Sequence, residues 1–356
     1  VVSRVVYDSV VVSLAVVLVR RAEMNSSEGD DITSSIPLSQ LPEWADVKPL
    51  PQDEGPNPVV PIAYGQQFEE AMGYFRAMYY SSEMSARSLE LTHRVILLNP
   101  GNYTVWHFRR LVLESLGVNL SDELEFVKNV AKGNTKNYQI WHHRRWVAEK
   151  LGDEYASKEL EFTREVLSLD AKNYHAWSHR QWVLQTLGGW EEELDYCDHL
   201  LQDDVFNNSA WNQRHFVVIR SPILGGMNAM RNSEVQYCVN AISKHPENES
   251  PWRYLRGLFK EEDEAFACNT EVANLVLKIL GKECSHVFAL STLLDLVCLG
   301  FKPNQELLGA LEAIKEPLSL PEYSVVGSCI CAVLEQIDPM RCKYWKWRRN
   351  GLSNVS

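Results

Sequence analysis

The chain has 356 residues, 45% hydrophobic and 23% charged, enough for a large core or a continuous solenoid core. A formal net charge of −12 argues against a nucleic-acid scaffold, whose binding needs clustered Lys and Arg to neutralise phosphates. All eight cysteines lie from Cys197 onward, without a CxxC pair or the His spacing of a zinc site, and read as reduced, mostly buried thiols of a cytosolic protein.

Residues 1–36 read as an N-terminal extension outside the fold. Within it, Val10–Val19 is an apolar run of ten residues, too short to span a bilayer. Arg20 and Arg21 follow that run instead of preceding it, unlike a signal peptide. With the first Met at position 24, residues 1–23 read as non-native or upstream translated sequence, and the Ser/Asp-rich stretch after them as disordered. Residues 37–65 hold seven of the fifteen prolines and Trp44, a composition that excludes a helix and predicts an extended arm packed on a partner or on the first helix. From Gln66 the pattern turns helical, with Phe68, Met72, Phe75 and Tyr79 on one face.

A repeat then sets the fold. NYTVWHFR (102–109), NYQIWHHR (137–144), NYHAWSHR (173–180), NNSAWNQR (207–214) and a weaker NESPWRYL (248–255) place tryptophans 35, 36, 34 and 41 residues apart. Periods in this range mean stacked supersecondary units. A second phrase (Leu89-Glu90-Leu91, ELEF 123–126, ELEF 159–162, ELDY 193–196, EVQY 234–237) ends fifteen positions before each Trp. Such a constant offset requires a helix, a loop of fixed length and a second helix. The predicted class is therefore all-α, an α-solenoid of stacked helical hairpins, with about fourteen helices in one helical-repeat domain over 66–350. Recognisable repeats cover about 83–260. Divergent capping hairpins follow over about 265–340, with helical patterning at 270–280, 286–299, 304–315 and 323–337, and 351–356 is a tail.

Within the phrase the Asn suits an N-cap and the Trp a buried anchor. The Arg three residues on is expected to stack on that Trp and bind carbonyls of the adjacent repeat. The slots that vary point to function. Tyr103, Tyr138 and Tyr174 occupy the position three before the Trp in only three consecutive hairpins, which suggests a site along that rim. Lys136 and Lys172 precede their caps, where a cation opposes the helix dipole unless an anion is held there. His175 lies in the first turn beside Tyr174, within reach of that rim, whereas the other hairpin histidines mostly fill variable slots. No Ser/His/Asp signature, Walker loop, GxGxxG or HExxH is found, so the chain reads as a helical-repeat protein with an anion rim and not as a complete enzyme.

These phrases, with the opening PEWADVKPLPQDEGPNPVVPIAY and the later FALSTLLDL (288–296) and YWKWRR (344–349), resemble the α-subunit shared by protein farnesyltransferase and type I geranylgeranyltransferase, in its plant-like form. The resemblance implies a crescent of hairpins around a separate prenyltransferase β-subunit that holds the catalytic zinc, with no metal ligand in this chain. It implies transfer of a farnesyl or geranylgeranyl group from its diphosphate to the Cys of a C-terminal CaaX sequence, with magnesium for farnesyl transfer, in the cytoplasm, without a membrane span or nucleic acid. By position, Lys136 matches the family Lys at the isoprenoid diphosphate and Gln139 the Gln that bonds the substrate's terminal carboxylate. Tyr138, Tyr174 and His175 match residues lining the cleft, and Tyr103 is a further candidate on the same rim. Two alternatives stand beside this: a Rab geranylgeranyltransferase-like α-subunit, which shares the repeat but lacks the proline arm, and a tetratricopeptide-like peptide-binding scaffold.

Overall fold

The computed structural model describes residues 36–302, 305, 308–309 and 325–353. The expected extension, apart from its last residue, most of the 304–315 helix and the end of the tail lie outside the described residues. Sixteen α-helices and no strand occur among them. The chain divides into two compact units, with the boundary between Leu187 and Gly188. Gly188 has φ 95° and Gly189 φ 90°, a conformation that disfavours any side chain and turns the chain between the third and fourth hairpins.

In the first unit, α1 (Gln66–Ser81) precedes three hairpins: α2 (Ala86–Leu98) with α3 (Tyr103–Leu116), α4 (Leu120–Ala131) with α5 (Tyr138–Leu151), and α6 (Ala156–Leu169) with α7 (Tyr174–Thr186). The arm before α1 is mostly extended, with single 3-10 turns at Leu38–Gln40 and Pro42–Trp44. The sequence pattern excluded any helix here. Pro42 fits because it opens its turn, where no N–H is needed. The arm packs back on α1. The Leu50 N–H donates to the Gly73 carbonyl at 3.0 Å, Arg76 Nε donates to the Leu50 carbonyl at 2.8 Å, and Trp44 lies edge-on to Tyr74. A Cβ at residue 73 would sit 3.1 Å from Pro49 Cβ, so glycine lets the arm lie this close.

The second unit holds α8 (Glu193–Asp203) with α9 (Asn208–Arg220), α10 (Gly226–Lys244) with α11 (Glu249–Gly257), the short α12 (Asp263–Ala267), α13 (Thr270–Leu280) with α14 (Val287–Cys298), and α15 (Val326–Ile337) with α16 (Cys342–Ser353). Its core is apolar and continuous, from Trp211 and Trp252 through Leu290 and Leu293 to Ile330 and Trp345. The short α12 and the terminal α16, which runs to Ser353, take the helix total above the fourteen expected.

The repeated residues do nearly the same work in each copy. Asn102, Asn137, Asn173, Asn207 and Asn248 all cap the helix that follows, each side-chain oxygen accepting from a first-turn N–H. Every repeat Trp is buried, and its indole N–H donates to the carbonyl six residues earlier: Pro100, Thr135, Ala171, Val205 and Pro246, at 2.7–3.0 Å. The cap Asn also ties successive hairpins together within each unit. Asn173 Nδ2 donates to Thr135 and Asn248 Nδ2 to Val205, each in the preceding hairpin.

The arginines depart from expectation. Their guanidinium groups lie over the aromatic that ends the ELEF-type phrase of the next hairpin and not over the Trp: Arg109 over Phe126 (4.2 Å), Arg144 over Phe162 (3.5 Å) and Arg214 over Tyr237 (3.8 Å). Each also grips the Glu that opens that phrase. Arg109 meets Glu123 with two bonds of 2.7 Å, Arg144 meets Glu159 at 2.9 and 2.6 Å, and Arg214 meets Glu234 with two of 2.7 Å. The carbonyls they bind, Leu89 by Arg109 and Leu124 by Arg144, belong to the first helix of their own hairpin. The physical reason is geometric: the indole is already committed to its own turn, while the carboxylate offers two acceptors to a planar fork.

A third group completes each buried cluster, always twenty residues after the Glu: His143 on Glu123 (2.7 Å), His179 on Glu159 (2.7 Å), Gln213 on Glu193 (2.8 Å) and Tyr254 on Glu234 (2.6 Å). His143 and His179 are thus not occupants of variable slots. Burial pushes the Glu123 carboxyl up, but the Arg109 charge and the His143 N–H outweigh it and hold it at about 2. Burial, in turn, pushes His143 and His179 below the usual imidazole value, against the bond to glutamate. The neutral form fits the geometry, since His143 Nδ1 is buried with no hydrogen-bond partner and a proton there would have nowhere to donate.

Candidate functional site

The candidate residues all belong to the first unit, at the N-terminal ends of α3, α5 and α7. These helices start where they do because Asn102, Asn137 and Asn173 cap them, so each Tyr is the first helical residue and points off the stack. Tyr103, Tyr138 and Tyr174 are 71%, 70% and 69% exposed, an unusual state for three large aromatics at equivalent positions.

The structure brings Lys136, Tyr138, Tyr174 and His175 together across two hairpins. His175 stands edge-on to Tyr138 at 4.3 Å, edge-on to Tyr174 at 5.6 Å and parallel to the Trp141 ring at 6.5 Å. Burial lowers its basicity, and the Lys136 backbone close beside it opposes that shift. The Lys136 side chain is 78% exposed and reaches Asp170 Oδ2 at 3.2 Å. Asp170 is itself set by the Lys172 N–H on Oδ1 (3.2 Å), and that bond, then the Lys136 ammonium, hold its carboxyl below the usual range. Gln139 is half-buried one residue beyond Tyr138, its N–H given to the Asn137 cap at 2.9 Å. Tyr103 stands on the preceding hairpin, one repeat before the Lys136 group.

This arrangement suits an anion bearing an apolar group. An ammonium, the positive end of α5 and its first-turn N–H groups attract negative charge, while Tyr138, Tyr174 and the His175 ring offer aromatic faces with polar tips. Asp170 is the residue the repeat pattern did not reveal. It lies two positions before Lys172 in a phrase read only for its cap. A cavity of about 200 Å³ lined by Asn208, Asn212, His215, Ser250 and Arg253 lies in the second unit and contains none of these residues. Among the described residues no group of three or more His, Cys, Asp or Glu side chains could hold a metal ion, and no helix is long and apolar enough to cross a membrane.

Comparison with known proteins agrees with the repeat read from the sequence. The protein prenyltransferase alpha subunit repeat matches residues 85–116, 120–151, 156–187, 190–220 and 231–262. The protein farnesyltransferase/geranylgeranyltransferase type-1 subunit alpha of Pisum sativum is 59% identical over 321 residues, covering 90% of this chain and 96% of the relative. That of Arabidopsis thaliana is 58% identical over 320 residues, covering 90% and 97%. Among solved structures, Candida albicans protein geranylgeranyltransferase-I complexed with GGPP aligns with a TM-score of 0.70 and 26% identity, over 86% of this chain and 97% of that one. Near-complete mutual coverage at this identity leaves no room for a different fold or an unrelated use of the repeat: the chain belongs to the family of protein farnesyltransferase/geranylgeranyltransferase type-1 α-subunits.

Proposed function

We propose that this chain acts as the α-subunit of heterodimeric CaaX prenyltransferases, joining a β-subunit to move a farnesyl or geranylgeranyl group from its diphosphate to a cysteine thiol. In this reaction the thiol gives up its proton, its sulfur attacks the isoprenoid C1, the C1–O bond breaks, and diphosphate leaves with the bonding electrons, giving a thioether. The observation that carries the reading is the Lys136 group: an exposed ammonium at a helix N-terminus, paired with Asp170 and flanked by two exposed tyrosines that meet the His175 ring. Negative charge grows on the departing diphosphate, and a pre-positioned ammonium stabilises it there more than in the ground state. Asp170 keeps Lys136 extended along the rim until the more highly charged diphosphate displaces it. Tyr138, Tyr174 and His175 line the isoprenoid end, Gln139 donates to the terminal carboxylate of the CaaX substrate, and Tyr103 borders the same rim.

The reading assigns zinc to the β-subunit, where it would activate the substrate thiol. The described side chains of this chain do not fit a zinc ion, and no step here passes through one. Magnesium is assigned to farnesyl transfer, and the cytoplasm is the compartment. The high identity to type-1 α-subunits over nearly their whole length favours this assignment over the Rab-type enzyme. The test is co-expression with candidate β-subunits, followed by mass measurement of the complex and transfer of each isoprenoid to a CaaX peptide. A heterodimer with transfer supports the reading. A chain that stays alone and yields no transfer overturns it.

A further inference from the structure

The last helix carries a surface that the family assignment does not use. Between Pro339 and Ser356 the sequence has five Lys or Arg and no Asp or Glu, in a chain of net charge −12. On α16, Trp345 faces inward and is buried, its indole N–H on Asp338 at 2.8 Å. The opposite stripe, at spacings of three, one and three, is Met340, Lys343, Tyr344 and Trp347, with Lys346 beside it. Met340 is 93% exposed and Trp347 67%, Tyr344 is exposed against the Trp347 ring at 5.9 Å, and both lysines are exposed.

The charges of α16 and the 3-10 turn before it (Pro339–Arg341) are sorted by residue type. All three arginines turn to acidic partners within the fold: Arg341 to Asp338 (2.7 Å), Arg348 to Asp295 (3.0 Å) and Arg349 to Glu335 (3.1 Å). Glu249, 3.7 Å from Arg341, is already engaged by Arg253 at 2.9 Å. Lys343 and Lys346 have no acidic partner among the described residues. The acids around α16 are thus neutralised from beneath, and two long ammonium side chains remain on a face of Trp, Tyr and Met.

We propose that this face of α16 is a peripheral docking site for an anionic phospholipid surface. The cations favour lipid over protein. Trp, Tyr and Met suit either surface, but protein interfaces are enriched in Arg and depleted in Lys, and here each Arg is paired to an acid of the fold, Arg348 also donating to Tyr344 OH at 3.2 Å, while the free cations are both Lys. Lysines bury their alkyl stems while reaching headgroup phosphates, and Trp and Tyr place amphipathic rings at the boundary between headgroup and hydrocarbon. The net negative charge of the rest of the chain is screened beyond a Debye length of about 8–10 Å at physiological salt, so the local face decides. Attachment is on the surface only, since no described helix can cross a bilayer.

The experiment is co-sedimentation of the full chain, and of its complex with the β-subunit, with vesicles of phosphatidylcholine alone or phosphatidylcholine with 30% phosphatidylserine. Binding to the anionic vesicles, weakening as salt rises, is the expected result. At roughly 1 kcal/mol per surface lysine, Lys343→Gln with Lys346→Gln should lower partitioning about thirtyfold. Trp347→Ala should lower it several-fold on its own. Trp347 is the one highly exposed tryptophan among the described residues, so brominated lipid should quench wild-type fluorescence and not that of Trp347→Phe. Equal binding to both vesicles, no effect of the double Lys variant, or loss of vesicle binding in the complex with Trp347 shielded by the β-subunit would each overturn the proposal. All three positions are exposed, and unchanged circular dichroism shows that a variant still folds.

Discussion

Glu159→Gln isolates what holds successive hairpins together. Glu159 is fully buried between hairpins, taking two bonds from Arg144 at 2.9 and 2.6 Å and one from His179 at 2.7 Å. Glutamine keeps the volume, removes the charge and turns one acceptor into an N–H facing the Arg144 fork. Arg144, itself buried, then carries an uncompensated charge in an apolar setting beneath the Phe162 ring. Breaking such a pair from one side costs about 3–5 kcal/mol. At about 2–4 °C per kcal/mol for a unit of this size, the midpoint should fall by about 10 °C. Thermal and urea unfolding of wild type, Glu159→Gln, Arg144→Met and the double variant complete a cycle. The double variant should recover much of the loss, because removing both partners leaves no stranded charge. A midpoint within about 3 °C of wild type for Glu159→Gln would refute the idea that this ladder holds the stack.

Acid should act on the same ladder in two windows. His143 and His179 sit below the usual imidazole value when folded, so below about pH 6.5 the unfolded chain binds protons that the folded one does not, and stability falls. The depressed Glu123 carboxyl contributes stability that is complete above its unfolded value near 4.5 and is lost as pH falls toward about 2. Urea midpoints from pH 7.5 to 3 follow both, and a flat profile down to pH 5 would contradict the histidine part. Asn173→Ala removes both a cap and the bond to Thr135, and should cost about 1–2 kcal/mol by denaturant unfolding. Lys136→Ala should lower prenyl transfer about a hundredfold while the heterodimer forms normally; equal single-turnover rates would remove Lys136 from the chemistry. Asp170→Asn should leave assembly intact and change transfer only several-fold, an effect that Lys136→Ala abolishes if Asp170 acts through that side chain.

Periodicity made the helices legible. Asn, Trp and Arg recur at fixed places because capping, an indole bond to a carbonyl and a guanidinium fork each need one residue type at one spacing. The partners of those forks were harder to see. The Glu of ELEF, read only as a ruler, accepts from an Arg 14, 15 or 20 residues before it and from a side chain 20 residues after it. The third member drifts through His, His, Gln and Tyr, so its chemistry stays constant while its letter changes. Only the shared ability to donate toward a buried carboxylate unites them, and sequence similarity does not display that.

The rim follows the opposite rule. Buried ladders tolerate change only where the donor survives, so what they fix is the distance between one helix start and the next. That rigidity lets an exposed lysine be placed from outside: the Lys136 side chain by Asp170 on the next hairpin. An exposed ion pair of this kind adds little stability. It is therefore poorly explained as a fold-holding contact and well explained as one that sets a side chain's direction and yields when a stronger anion arrives. On the proposed assignment the hairpin stack and the rim are one device, in which interior carboxylates hold the spacing that the exterior chemistry would need.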